Sequence, residues 1–185
     1  EHLERASEKR LSAIRGQKIS FVFQHFALLE DCTAAENVAL PLLRQRMSGA
    51  ERRAKVLAAL EQVGIAGLAR RKPSQLSGGQ KQRLSIARAI IRRPEFYLFD
   101  DSFSALDFRT DLELRRALAA ETENSTVLIV AQRVSTIMHA DQILVLERGE
   151  LVGHGTHQEL MRTCEIYREI VLSQLSEQEA TQNGR

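Results

Sequence analysis

The run Phe96-Tyr97-Leu98-Phe99, followed at once by Asp100-Asp101, restricts the fold of this 185-residue chain more than any other stretch. Four consecutive bulky apolar residues suit a strand covered on both faces, as in the interior of a parallel sheet. Carboxylates at the carboxyl end of such a strand stand where open α/β sheets place ligand-binding groups. Taken alone, an acidic pair after a strand is also an ordinary turn former.

Upstream, Ser74-Gln75-Leu76-Ser77-Gly78-Gly79-Gln80-Lys81-Gln82-Arg83 joins a polar turn to a helix. After Gly79, the run Gln80–Arg93 carries Leu84, Ile86, Ala87, Ala89, Ile90 and Ile91 at helical spacing. Ser77 stands where a helix N-cap belongs, and the two glycines leave the backbone beside it uncovered. A helix start with free N–H groups, a hydroxyl and little side-chain bulk suits a phosphate. The plainer reading of a bare Ser-Gly-Gly is a capped helix after a loop.

Leu76-Ser77-Gly78-Gly79-Gln80, then Phe96–Asp101, then Ser104-Ala105-Leu106-Asp107 is a three-part pattern. It resembles the signature motif, Walker B strand and D-loop of the ATP-binding cassette (ABC) ATPases. The resemblance implies an α/β fold: a partial P-loop NTPase with a mainly parallel sheet and an inserted α-helical subdomain. It also implies a subunit or domain of an ABC transporter that couples ATP binding and hydrolysis to export. Such a subunit sits on the cytoplasmic face of the membrane, and its cofactors are ATP and Mg²⁺.

By the same resemblance, Ser77, Gly78, Gly79 and Gln80 bind the γ-phosphate of ATP held by a second nucleotide-binding domain in a head-to-tail dimer. Asp107 reports across that interface. Asp100 ligates Mg²⁺, and Asp101 occupies the place of the family's catalytic glutamate. Gln24, after the apolar run Ile19–Phe23, matches the Q-loop glutamine that coordinates Mg²⁺ and the attacking water. The segment after Gln24 corresponds to the part that lies against a transmembrane partner. Gln132 stands at the position of the family's switch histidine, following the strand-like Thr126–Val130.

The remaining punctuation agrees with this order. Thr33 with Glu36 predicts a capping box for a helix over 34–43, and Ser48 opens a second helix whose apolar face is read as Ala54, Leu57, Ala58, Leu60 and Val63. Gly64 is its stop. Residues 33–93 are expected to form a helical subdomain and residues 94–175 the rest of the catalytic core. A hairpin turns at Glu147–Glu150, Thr156 with Glu159 caps a closing helix, and a last helix covers about 165–175. The polar stretch 176–185 is expected to be disordered. His154 and His157 have no third ligand nearby in sequence and are not read as a metal site.

Three departures from a working ATPase stand out. No G-x-x-x-x-G-K-[ST] and no Gly-Lys pair occurs in the sequence, so nothing in it cradles the α/β-phosphates. The chain is therefore expected to be an N-terminally truncated cassette that does not hydrolyse ATP alone. Asp101 is one methylene shorter than the usual glutamate, withdrawing a general base that must reach within about 3 Å of its water. Gln132 keeps a hydrogen-bonding amide but exchanges no proton at neutral pH. Asp with Gln resembles the degenerate site of heterodimeric multidrug exporters, whereas residues 19–93 resemble lipoprotein- or macrolide-export and importer-type subunits. The alternative is a non-enzymatic docking or regulatory fragment that supplies a signature motif in trans.

The net charge of +2 hides an asymmetry: residues 1–93 carry 18 Lys and Arg against 8 Asp and Glu. No aromatic residues interleave with these cations to stack bases, so they read as solvated helix faces and no nucleic-acid partner is expected. Cys32 and Cys164 lack metal-ligand spacing and read as reduced thiols. No apolar run approaches the ~18 residues of a membrane span.

Overall fold

In the computed structural model, the described residues are all but 1–3, 5, 103–113, 115–117, 120, 184 and 185, with backbone alone for 176–183. They form two compact units, Glu1–Val130 and Ala131–Arg185. The boundary falls inside the stretch 94–175 that the sequence reading takes as one core part.

The first unit is built on a three-stranded parallel sheet in the order β1 (Ile19–Val22), β2 (Phe96–Asp100), β3 (Thr126–Val130). Ile19 lies opposite Phe96 and Val22 opposite Phe99, while Asp100 lies opposite Val130. The apolar run read from sequence is therefore the central strand. Pleating turns Tyr97 and Phe99 into the core with Val22. Phe21, Phe96, Leu128 and Val130 remain 43–56% exposed.

Helix α1 (Glu8–Gln17) starts at the Ser7 cap and runs through Gly16. Between β1 and β2 lie α2 (Ala34–Ala39), α3 (Gly49–Gln62) and α4 (Gly78–Ile90). The Thr33–Glu36 capping box forms, with Thr33 N–H donating to Glu36 Oε2 at 2.7 Å. The α2 helix is shorter than expected, because a 3₁₀ turn over Leu40–Leu42, carrying Pro41, takes over after Ala39. Helix α3 buries Val56, Ala59 and Leu60, with Val63 following. The expected face was wrong in part: Leu57 is 40% exposed, and the i, i+3, i+4, i+7 stripe begins at Val56. Gly64, at φ +70°, ends the helix as read.

Helix α4 buries Leu84, Ile86, Ala87, Ala89 and Ile90 against α2, α3 and β1. At about 1.5–3 kcal/mol for a buried Leu or Ile, this face fixes the helix firmly. The Ser20 hydroxyl of β1 donates to the Ala89 carbonyl at 3.1 Å and locks helix to strand.

The second unit holds α5 (Val134–Ile137), the antiparallel hairpin β4 (Ile143–Glu147) and β5 (Glu150–Gly155), α6 (His157–Thr163) and α7 (Glu165–Asn183). Arg148 and Gly149 take φ +51° and +87°, both left-handed, as a two-residue hairpin turn requires. Its core is Val134, Ile143, Val145, Leu160, Cys164, Tyr167 and Val171. Helix α7 is drawn up to Asn183, into the stretch 176–185 that the sequence reading expects to be disordered. His157 Nδ1 meets the Tyr167 hydroxyl at 2.8 Å, giving that histidine a packing partner. No group of three or more His, Cys, Asp or Glu suited to a metal occurs among the described residues.

Candidate functional site

Ser77 caps α4 with φ −66° and ψ 163°. Its Oγ accepts from the Gln80 N–H at 3.3 Å, and Gln80 Oε1 accepts from the Ser77 N–H at 2.9 Å. This reciprocal box uses the N–H groups of Ser77 and Gln80. The first-turn N–H groups of Gly78 and Gly79 have no acceptor within the helix and carry the positive end of its dipole. A Cβ built on Gly78 would meet nothing within 4 Å, so the approach is open. The capping box also engages Gln80 in cap formation, a part the sequence reading did not give it.

The carboxylates lie at the carboxyl edge of the sheet. Asp100 ends β2 and is exposed. Asp101 turns at φ +42° while its N–H donates to the Val130 carbonyl at 2.9 Å, so the pair leaves the strand in a tight, left-handed bend. Gln24 is exposed two residues beyond Val22. Because β1 and β2 are parallel neighbours with Val22 opposite Phe99, Gln24 and the aspartates leave the same edge of the sheet.

Three residues that the sequence reading passed over fix these groups. The buried Ser102 hydroxyl donates to the carbonyls of Val22 at 2.7 Å and Asp100 at 3.2 Å, tying the ends of β1 and β2 together. Asn37, fully buried, accepts from Leu29 N–H at 2.8 Å and donates to the carbonyls of Leu29, Cys32 and Thr33 at 3.0–3.2 Å. Arg88 of α4 reaches the carbonyls of Ala27 and Phe26 at 2.5 and 2.8 Å, and burial lowers its pKa. Arg88 leaves one trace in sequence, as a charged residue inside the otherwise apolar run Ile86–Ile91, whereas Asn37, beside Glu36, leaves none. Ser102 leaves none.

Gln132 belongs to the second unit. There its carbonyl accepts from Gln174 Nε2 at 2.7 Å, while Gln174 Oε1 accepts from the Val134 N–H at 2.9 Å. Asp107 lies outside the described residues. Within the first unit, the structure thus gathers Gln24, Asp100 and Asp101 at one sheet edge and Ser77–Gln80 at the start of α4.

The ABC transporter family model matches residues 3–104, more than half of the chain. The chain belongs to the ABC transporter family. Among its relatives, an uncharacterised ABC transporter ATP-binding protein of Mycobacterium bovis is 49% identical over 53% of this chain and 17% of its own. The sulfate/thiosulfate import ATP-binding protein CysA of Photorhabdus laumondii is 39% identical over 80% of this chain and 43% of its own. This ABC-family chain thus spans less than half the length of these two relatives. Among solved structures, the dimeric ATP-binding cassette MJ0796 in a post-hydrolysis state bound to ADP and Pi superimposes with a TM-score of 0.77 at 37% identity. That match covers 83% of this chain and 68% of the cassette. A bacterial Atm1-family ABC exporter with ATP bound gives a TM-score of 0.78 at 32% identity, over 89% of this chain and 30% of the exporter. The parallel sheet with packed helices is thus the ABC ATPase fold. No described helix is long and apolar enough to cross a membrane.

Proposed function

We propose that this chain acts as nucleotide-binding machinery of an ABC transporter and supplies its signature segment, Ser77–Gln80, to ATP held by a second cassette. The observation that carries this reading is the start of α4. The Ser77–Gln80 box leaves the N–H groups of Gly78 and Gly79 free and a hydroxyl beside them, with open space above Gly78. In a head-to-tail pair these donors would face a γ-phosphate, and the dimeric MJ0796 cassette supports such a pairing. Asp107 would lie at that interface.

The carboxyl edge of the sheet fits Mg²⁺. Asp100, Asp101 and the Gln24 amide offer hard oxygen donors, and Mg²⁺ commonly takes one or two carboxylates with substrate phosphates and water. Bound there, Mg²⁺ would supply charge neutralisation for phosphoryl transfer. Asp100 and Gln24 would hold the ion, and Asp101 would orient a water. Gln132 would hold a hydrogen bond at the switch position without shuttling a proton. When a P-loop segment precedes this chain, Asp101→Glu with Gln132→His should raise turnover at least tenfold, since acid–base groups contribute roughly 10²–10⁴-fold.

The segment after Gln24 would face a transmembrane partner at the cytoplasmic side of the membrane. The relatives carry both import and export names, and this geometry suits either direction.

The deciding experiment titrates the 185-residue chain into an ABC cassette that carries a P-loop but a disabled signature, and follows phosphate release. A saturable rise, lost with Ser77→Arg, supports the proposal; no rise overturns it. Alone, the chain should release no phosphate. Turnover that vanishes in Asp100→Ala would show that it holds ATP without a P-loop.

A further inference from the structure

We propose that Arg88, through its hydrogen bonds to the carbonyls of Phe26 and Ala27, is a positioning residue that fixes the loop following Gln24 to the signature helix. Phe26 and Ala27 take φ +62° and +47°, consecutive left-handed conformations that residues with a Cβ adopt at a cost. The turn has little of its own to hold it: Phe26 N–H donates to Phe23 at 3.1 Å and Ala27 N–H to His25 at 2.7 Å. Both carbonyls turned outward by this bend meet a single guanidinium, Nη1 on Ala27 and Nη2 on Phe26, across about sixty residues of sequence. A planar fork with two donor nitrogens suits two neighbouring carbonyls, which a lysine ammonium cannot match at both points. Farther along the loop, Asn37 holds Leu29 by both its N–H and its carbonyl.

Arg88 lies on the same helix as Ser77–Gln80, about 12 Å along the axis from Gln80 at 1.5 Å per residue. Buried residues lie between them, so the intervening helix is firmly seated. A displacement of Gln24 thus reaches the start of α4 through one side chain and a rigid element. That consequence for Gln24 rests on its proposed role as a ligand. The anchoring of the loop does not, and it is what the following experiment reads.

Residue-resolved amide exchange on the 185-residue chain tests the anchor. In Arg88→Met, exchange at Phe26 and Ala27 is expected to rise at least tenfold, while Leu29, held by Asn37, and Ile86 in the core change little. Glycine takes left-handed φ at no cost. Ala27→Gly added to Arg88→Met should therefore restore at least threefold of the lost protection, which a loss of packing at Arg88 alone would not allow. Arg88→Lys, the milder variant, should raise exchange at Phe26 and Ala27 at least threefold. Unchanged exchange in either variant overturns the proposal. So does a rise shared equally by Ile86, or an absence of rescue by glycine. The cassette titration described above, repeated with Arg88→Lys, should show a lower maximal rate at an unchanged ATP requirement. If the unsubstituted chain fails to stimulate, the trans-acting reading falls and the exchange result still decides the anchor.

Discussion

The hydroxyl of Ser102 donates to the carbonyl of Val22 at 2.7 Å across 80 residues of sequence, and it is the side-chain bond that closes the carboxyl ends of β1 and β2. Ser102→Ala leaves a strand-end carbonyl short of a buried donor, at a cost of about 1–3 kcal/mol. Urea unfolding should show that loss at an unchanged m-value. Phe23 and Gln24 amides should exchange faster, since their strand end loses its tie.

Gly78→Asp should divide stability from function. A Cβ at Gly78 meets nothing within 4 Å, so the fold accommodates the side chain. A carboxylate in the first turn of α4 opposes the helix dipole favourably, by about 0.3–1 kcal/mol. The same charge repels a phosphate. Thermal melting should be equal or slightly higher, while stimulation of a partner cassette disappears.

Tyr97 carries a hydroxyl that is buried without a hydrogen-bond partner in the described structure. Burial, reinforced by Glu121 and opposed by Arg93, pushes its pKa from 10.0 up to about 12. The folded state therefore keeps a proton that the unfolded chain releases above 10. Stability from this group is complete below pH 10 and declines as pH rises toward 12. Tyr97→Phe loses no partner, so it should leave stability at pH 7 unchanged or raised, within about 1 kcal/mol. It should also flatten the alkaline decline measured by urea unfolding at pH 9–11.

Acid should act on the capping boxes. Hydrogen bonds from the backbone and hydroxyl of Thr33 lower the Glu36 pKa below its ordinary 4.5, and Thr156 does the same for Glu159. Their contribution is present above about pH 4.5 and is lost as pH falls through the lowered folded values. Glu36→Gln and Glu159→Gln should each make the unfolding midpoint less dependent on pH between 3 and 5.

The parts legible in sequence were those written in local chemistry. Thr33–Glu36 and Thr156–Glu159 are each three residues apart, and both boxes form. The run at Phe96 declared a central strand, and it is one. The family, too, was readable from Ser77–Gln80 and Phe96–Asp101. The face of α3 was not, because Ala54, Leu57 and Ala58 make as good a stripe as Val56, Ala59 and Leu60 until a neighbouring helix chooses between them. The bonds of Arg88 and Ser102 span about sixty and eighty residues, and no periodicity announces a partner that distant. Asn37 acts within its own neighbourhood, yet its amide is spent on loop carbonyls that have no sequence signature.

The pairing of Ile19 with Phe96 also sets an order of events in folding. Joining β1 to β2 closes a loop of 77 residues, whereas the helices between them need mostly nearer contacts. Loop closure of that length is unfavourable until the chain inside it is already compact, and non-local sheet pairing is slow for that reason. The start of α4 should therefore mature early, and the aspartate edge should appear only in the last, rate-limiting step. A chain stalled during folding would display a finished signature helix beside a sheet that does not yet exist.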